Sequence, residues 1–308
     1  MAEHSFPAQA KKIYRITFLL SILIFLNILF GPLVRATDSG LGCPDWPLCY
    51  GKVVPPPKLT AYMEVGHRFY SGIISLLFAY ILFFIFSHKI LRNKFGIMAG
   101  LSFLALISQI ILGALTVTRL LDPTTVNLHL LNAVLFFFFL VNLSLKAKDE
   151  VEGIKGPNKN RLFLPFNSGL LLTVFSVYLQ LFMGGRVSSN YAGLVCYEWP
   201  TCNNGLWFPS FAGPVGFHVQ HRLMAYFILL LIFLLFAFAK KNKTSFSNQS
   251  LKYLNFAVLI VVLQVILGIL NVILRLPILL TALHSGLGVL LFIMVYIALY
   301  HNLKEQQS

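Results

Sequence analysis

The stretch HVQHRLMAYFILLLIFLLFAFA, residues 218–239, decides how the chain is read. Its polar residues cluster in the first few positions, and from Leu223 to Ala239 it carries no charge. A helix that crosses a bilayer needs about 20 predominantly apolar residues, and this stretch supplies them. Working outward from it, seven further stretches qualify: 14–34, 65–87, 97–118, 126–146, 163–185, 252–273 and 278–300. The composition agrees. Of 308 residues, 57% are hydrophobic and 11% charged, so there is too little charge to cover a soluble core. The expected class is an all-α integral membrane protein of eight transmembrane helices. The first span is long and lacks a small-residue cleavage site before the following gap, so it is expected to remain as a span.

A net charge of +14 raises nucleic acid as a partner, but the distribution argues against it. The basic residues fall in short clusters between apolar runs: Lys11, Lys12 and Arg15; Lys89, Arg92 and Lys94; Lys146, Lys148, Lys155, Lys159 and Arg161; Lys240, Lys241, Lys243 and Lys252. Alternate gaps are poor in Lys and Arg. That is the positive-inside pattern, and it puts both termini in the cytoplasm. The outward gaps are then 35–64, 119–125, 186–217 and 274–277, the first and third long and holding all four cysteines.

An internal repeat organises the chain. CPDWPLC (43–49) returns as CYEWPTC (196–202) at an offset of 153. Glu64-Val-Gly-His67-Arg68 pairs with His218-Val-Gln-His221-Arg222 at 154, while Gln109…Gly113 pairs with Gln264…Gly268, and His129 with His284, at 155. Gly31 and Gly184 stand at equal distances before the first cysteine of each pair. Four helices separate the equivalents, so both halves run in the same direction, a parallel repeat of two tandem four-helix bundles. The expected division is an N-terminal half over 1–148, a cytoplasmic linker over 149–162 and a C-terminal half over 163–308.

Four of the eight histidines take part in the repeat, His67 and His129 in the first half, His221 and His284 in the second. Each pair sits near the starts of two helices that run from outside to inside, hence near one depth. Two imidazoles so placed in a four-helix bundle can hold a porphyrin iron from its two faces. A lone membrane histidine more often satisfies a carbonyl or a polar neighbour, but ionisable groups in a span are costly, and four in a repeated pattern favour heme. Zinc usually takes three or four protein ligands. Glu64, three residues before His67, has His218 as its counterpart, and a carboxylate in one half only marks that half as reactive. An interfacial Glu facing headgroups is the bland alternative. Arg68 and Arg222 can pair with porphyrin propionates or snorkel to lipid phosphate. The pairs Cys43/Cys49 and Cys196/Cys202 can close as disulfides around Pro47 and Pro200. For Cys196/Cys202 a structural staple is the preferred reading, whereas Cys43/Cys49 stays open between staple and redox role.

Gly-Leu-Gly-Cys-Pro-Asp-Trp-Pro-Leu-Cys (40–49, with Tyr50 and Gly51 following), Glu64-x-x-His67-Arg68, the repeated His221-Arg222 and the single His129 and His284 together resemble the heme A synthase family. The resemblance covers essentially the whole chain. It implies an oxidoreductase of the bacterial plasma membrane that oxidises a methyl group of heme O to a formyl group, giving heme A for terminal oxidases. It implies substrate heme at His67 and His129 with Glu64 catalytic, and a resident heme b at His221 and His284 that passes electrons. Heme O, membrane lipid, a heme O synthase, an electron acceptor and a second copy of the chain are the candidate partners; nucleic acid is not among them. His218, an extra imidazole beside His221, departs from the expected ligand pattern. A diheme b-type electron carrier or quinone oxidoreductase is the alternative from another class.

Overall fold

The computed structural model describes residues 2–242 and 246–304, with side chains described from Phe6 onward. Lys243 of the fourth basic cluster and the last residues of the polar tail lie outside the described residues. The described residues form eight α-helices: α1 (Ala2–Ala36), α2 (Leu59–Ser87), α3 (Lys89–Thr118), α4 (Pro123–Glu152), α5 (Pro165–Ser189), α6 (Gly213–Lys241), α7 (Asn248–Ile273) and α8 (Ile278–Asn302). All eight are long and apolar enough to cross a membrane. Among the described residues β structure is confined to two isolated bridges, Cys49 with Lys52 and Asn203 with Leu206.

Local chemistry explains where the helices begin and end. Asp122 caps α4, its carboxylate accepting from the Thr125 amide (2.9 Å) and hydroxyl (3.0 Å), while Pro123 occupies the first turn, where an N–H is unneeded. Gly153 closes α4 at φ +66°, the left-handed conformation glycine adopts without a Cβ penalty. The helix therefore runs to Glu152, into the stretch expected as linker from residue 149. Ser247 caps α7 through the Ser250 amide at 3.0 Å. α2 starts at Leu59, before the apolar run expected from residue 65, and Glu64 in its second turn is held by the Cys43 amide.

The chain divides into two compact units, Met1–Gly156 and Pro157–Ser308. In the first, α1 and α3 each pack against both α2 and α4, closing a ring around fully buried Phe78, Ile81, Leu140 and Leu143. In the second, α5 and α7 each pack against α6 and α8 around Leu170, Ile232, Leu254 and Val295. Lipid tails are as apolar as leucine, so close fit rather than water exclusion holds such helices together. Hydroxyl groups within the bundles are satisfied locally: Thr17, Ser102 and Thr173 each donate to the carbonyl one turn earlier, at 2.7 to 2.8 Å. Leu76, Phe83 and Ile97 point outward and are largely exposed, the face expected to meet acyl chains.

Candidate functional site

His67 on α2, His129 on α4, His221 on α6 and His284 on α8 each lie about two turns into their helix, given 3.6 residues per turn. All four are half-buried, and in all four Nδ1 is buried without a hydrogen-bond partner. A buried imidazole nitrogen left unpaired is costly and needs an explanation. In the second unit the rings of His221 and His284 stand 6.3 Å apart, centroid to centroid, at 76°. A metal bound by two imidazoles at about 2.0 Å each holds the ring centroids about 6 Å apart. Among the described residues no group of three or more His, Cys, Asp or Glu side chains could hold a metal ion. A centre with two protein imidazoles must take its remaining ligands from elsewhere, and a porphyrin supplies four in one plane. The residues present fit heme.

Carboxamides on the preceding helices support the histidines. Gln180 of α5 donates to the His221 carbonyl (3.0 Å), and Gln264 of α7 to the His284 carbonyl (2.8 Å). In the first unit Gln109 of α3 lies with its Nε2 3.2 Å from His129 Nε2, and its Oε1 accepts from Asn132 (2.8 Å), which also donates to the Ala105 carbonyl. Asn27 of α1 donates to Ser71 Oγ at 2.9 Å, and Ser71 donates onward to the His67 carbonyl at 2.8 Å. Glycines let the rings lie close to the neighbouring helix. A methyl group placed on Gly113, Gly184 or Gly268 would stand 3.3, 3.0 or 3.1 Å from Cε1 of His129, His221 or His284.

Above each pair lies a loop closed by a disulfide, Cys43–Cys49 with Cα atoms 4.8 Å apart and Cys196–Cys202 at 4.3 Å. The chain doubles back at Tyr50-Gly51 and Asn204-Gly205, all four at positive φ, the pattern of a tight hairpin turn. Asp45 secures the first turn by accepting from the Tyr50 and Gly51 amides at 2.6 and 2.8 Å, and Glu198 secures the second through Asn204, Gly205 and Thr201. The Gly51 amide holds the Asp45 carboxyl below the usual carboxylate range, and the Gly205 amide and Thr201 hydroxyl do the same for Glu198.

Glu64 joins this roof to α2. It is 5% exposed; Oε2 accepts the Cys43 amide at 2.8 Å and Oε1 pairs with the Arg68 guanidinium. Arg68 donates in turn to the carbonyls of Asp45, Pro47 and Leu48, and Arg222 to those of Cys196, Glu198 and Thr201. The guanidinium groups, expected at porphyrin propionates or at lipid phosphate, are engaged by loop carbonyls. His218, the counterpart of Glu64, donates Nδ1–H to the Ala192 carbonyl at 3.1 Å. That bond occupies Nδ1 and ties the start of α6 to the short turn that precedes the Cys196–Cys202 loop.

Sequence reading found the histidines, the cysteines, Glu64, Gln109 and Gln264, and missed Asn27, Ser71, Asn132 and Gln180. A signal for two of them existed: Asn27 and Gln180 stand four residues before Gly31 and Gly184, as Gln109 and Gln264 stand before Gly113 and Gly268.

Comparison with known proteins adds the family. A family model described as cytochrome oxidase assembly protein, COX15-CtaA, matches residues 14–296. A protein of Alkalihalophilus pseudofirmus described as heme A synthase is 32% identical over 230 residues, covering 73% of this chain and 74% of its own. One of Halalkalibacterium halodurans with the same description is 31% identical over 218 residues, covering 70% and 72%. A third, from Shewanella oneidensis, is 28% identical over 342 residues and covers 97% and 98%.

Proposed function

The chain belongs to the COX15-CtaA family of cytochrome oxidase assembly proteins, and from that premise we propose that it is a heme A synthase, an oxidoreductase that converts a methyl group of heme O to a formyl group. The observation that carries the reading is the facing pair of imidazoles in the second unit, His221 and His284 with ring centroids 6.3 Å apart, at positions that His67 and His129 repeat in the first. Relatives that span most of their own length against this chain are described as heme A synthases.

In this proposal His67 and His129 hold the substrate heme, and His221 and His284 hold a resident heme b. Once bound, heme b supplies one-electron transfer, through which electrons withdrawn from the methyl carbon leave for an acceptor. The chain's own residues orient and enclose. The carboxamides of Gln180 and Gln264 fix the backbone that carries the second pair of imidazoles. Glu64 makes the first unit the reactive one: its carboxylate anchors the roof on the helix that carries His67, and from there it takes up protons or orients a water. The farnesyl chain of heme O lies against the apolar outer faces of the helices. The positive-inside distribution of Lys and Arg sets both termini in the cytoplasm of a bacterial inner membrane.

The test is the pigment that co-purifies with the full-length protein from a host making hemes B and O. Heme B together with heme O or A is expected on extraction. Heme B alone contradicts the synthase reading and points to an electron carrier.

A further inference from the structure

Each of the four odd-numbered helices carries a carboxamide followed four residues later by glycine: Asn27…Gly31, Gln109…Gly113, Gln180…Gly184 and Gln264…Gly268. The helix that follows carries the histidine. Each two-helix hairpin is therefore one seat for an imidazole, with an amide holding it and a glycine backing it. Three seats are closed. His129, His221 and His284 lie against their glycines so closely that an added methyl would stand 3.0 to 3.3 Å from Cε1. An imidazole in such contact has no room to retreat, since packed atoms do not compress.

The fourth seat is open. Around Gly31 an added methyl would meet nothing within 4 Å, and the same holds for Gly66, beside His67 on α2. The ring near His67 is that of Phe30, 5.7 Å away and tilted by 47°. Backbone support differs in the same seat. Gln180 reaches the His221 carbonyl directly, and the position equivalent to Ser71 is Ala225. Asn27 is one methylene shorter and reaches the His67 carbonyl only through Ser71. A relay of two hydrogen bonds has one more place to open than a single bond.

We propose that His67 is the iron ligand built to yield, so that the first unit exchanges its porphyrin by release at His67 while the second retains its own. The proposal rests on the reading of the four histidines as heme ligands. It accounts for the chemistry the two sites must do, because a substrate porphyrin has to enter and its product leave, whereas a resident heme has to stay. Exchange breaks the iron–His67 bond heterolytically, the nitrogen keeping its electron pair, with no change in oxidation state. His129, seated on Gly113, keeps the porphyrin oriented meanwhile.

The experiment follows heme transfer from the detergent-purified, full-length protein to excess apomyoglobin, with carbon monoxide binding to the reduced protein as a second readout. Wild type is expected to lose heme in two phases, and carbon monoxide to bind at one heme only. The double variant Asn27→Gln/Ser71→Ala, which grafts the direct support of the second unit onto the first, is expected to slow the fast phase about fivefold, equivalent to about 1 kcal/mol. The reverse graft, Gln180→Asn/Ala225→Ser, is expected to speed the slow phase by a similar factor, and it keeps the inference testable if the first variant fails to load. Two hemes leaving at one rate, or a fast phase that responds to the second graft and not the first, overturns the inference and leaves the heme reading standing. A well-folded protein that holds no heme overturns both.

Discussion

Replacing Glu64 separates its part in the roof from its part in the reaction. The carboxylate accepts the Cys43 amide and pairs with Arg68, and both partners lie largely out of solvent. Glu64→Ala removes the anion of a buried ion pair and leaves the Arg68 charge with neutral carbonyl partners alone, a change that typically costs about 3 to 5 kcal/mol. Glu64→Gln keeps an acceptor for the Cys43 amide and loses the charge, at about 1.4 kcal/mol. His218→Ala, in the second unit, removes one bond to a neutral carbonyl, at about 1 kcal/mol. The disulfide reports these costs, because Cys43 and Cys49 are 0% and 1% exposed and a reductant reaches them only when the roof opens. At about 1.4 kcal/mol per tenfold, reduction of Cys43–Cys49 should accelerate about a hundredfold or more in Glu64→Ala and about tenfold in Glu64→Gln. His218→Ala should speed reduction of Cys196–Cys202 about fivefold. The assay is a time course of reduction and alkylation read by mass analysis. Wild-type reduction in Glu64→Ala, with heme conversion lost, would show that the carboxylate acts on substrate alone and that the structural reasoning is wrong.

Gly268→Ala places a methyl 3.1 Å from His284 Cε1 and should lower heme retention in the second unit, whereas Gly31→Ala meets open space and should leave it unchanged; heme content after purification reads both. Gly42→Ala would set a methyl 2.4 Å from the Thr60 carbonyl oxygen, so the loop must shift, costing about 1 to 3 kcal/mol; thermal unfolding in detergent should show a lower midpoint. Asp122→Ala removes the α4 cap and should destabilise the first unit by about 1 kcal/mol, read by the same unfolding. Asp45 and Glu198 have lowered native pKa values, so their contribution is complete above the ordinary carboxylate range near about 4 and is lost as pH falls through the lowered values. Fluorescence of Trp46 and Trp199 should therefore report loosening of both loops on acidification below that range, and a signal constant to lower pH would refute it.

The spans were legible because the bilayer demands length and apolarity, both of which are one-dimensional properties. Their edges were less so. α2 begins at Leu59, and Glu64 and Arg68, which look like the end of an apolar run, are satisfied by the Cys43–Cys49 loop. The histidines and cysteines stood out through their repetition. Asn27 and Gln180 did not, because their meaning depends on how α1 and α5 are rotated toward the next helix. The Asn27–Ser71 relay also disguises its equivalence to Gln180, since the two units place the polar atoms on different residues. Arg68 and Arg222 were visible as basic residues directly after the repeated histidines. Their partners, backbone carbonyls presented by two hairpins, have no side-chain signature at all.

The most direct test is expression in a host that makes heme O and lacks heme A, followed by chromatography and mass analysis of the extracted hemes. Wild-type protein should yield heme A, and His67→Ala should not, while heme B stays bound in both. Heme O left unconverted by a well-folded wild-type protein that carries heme B would contradict the account.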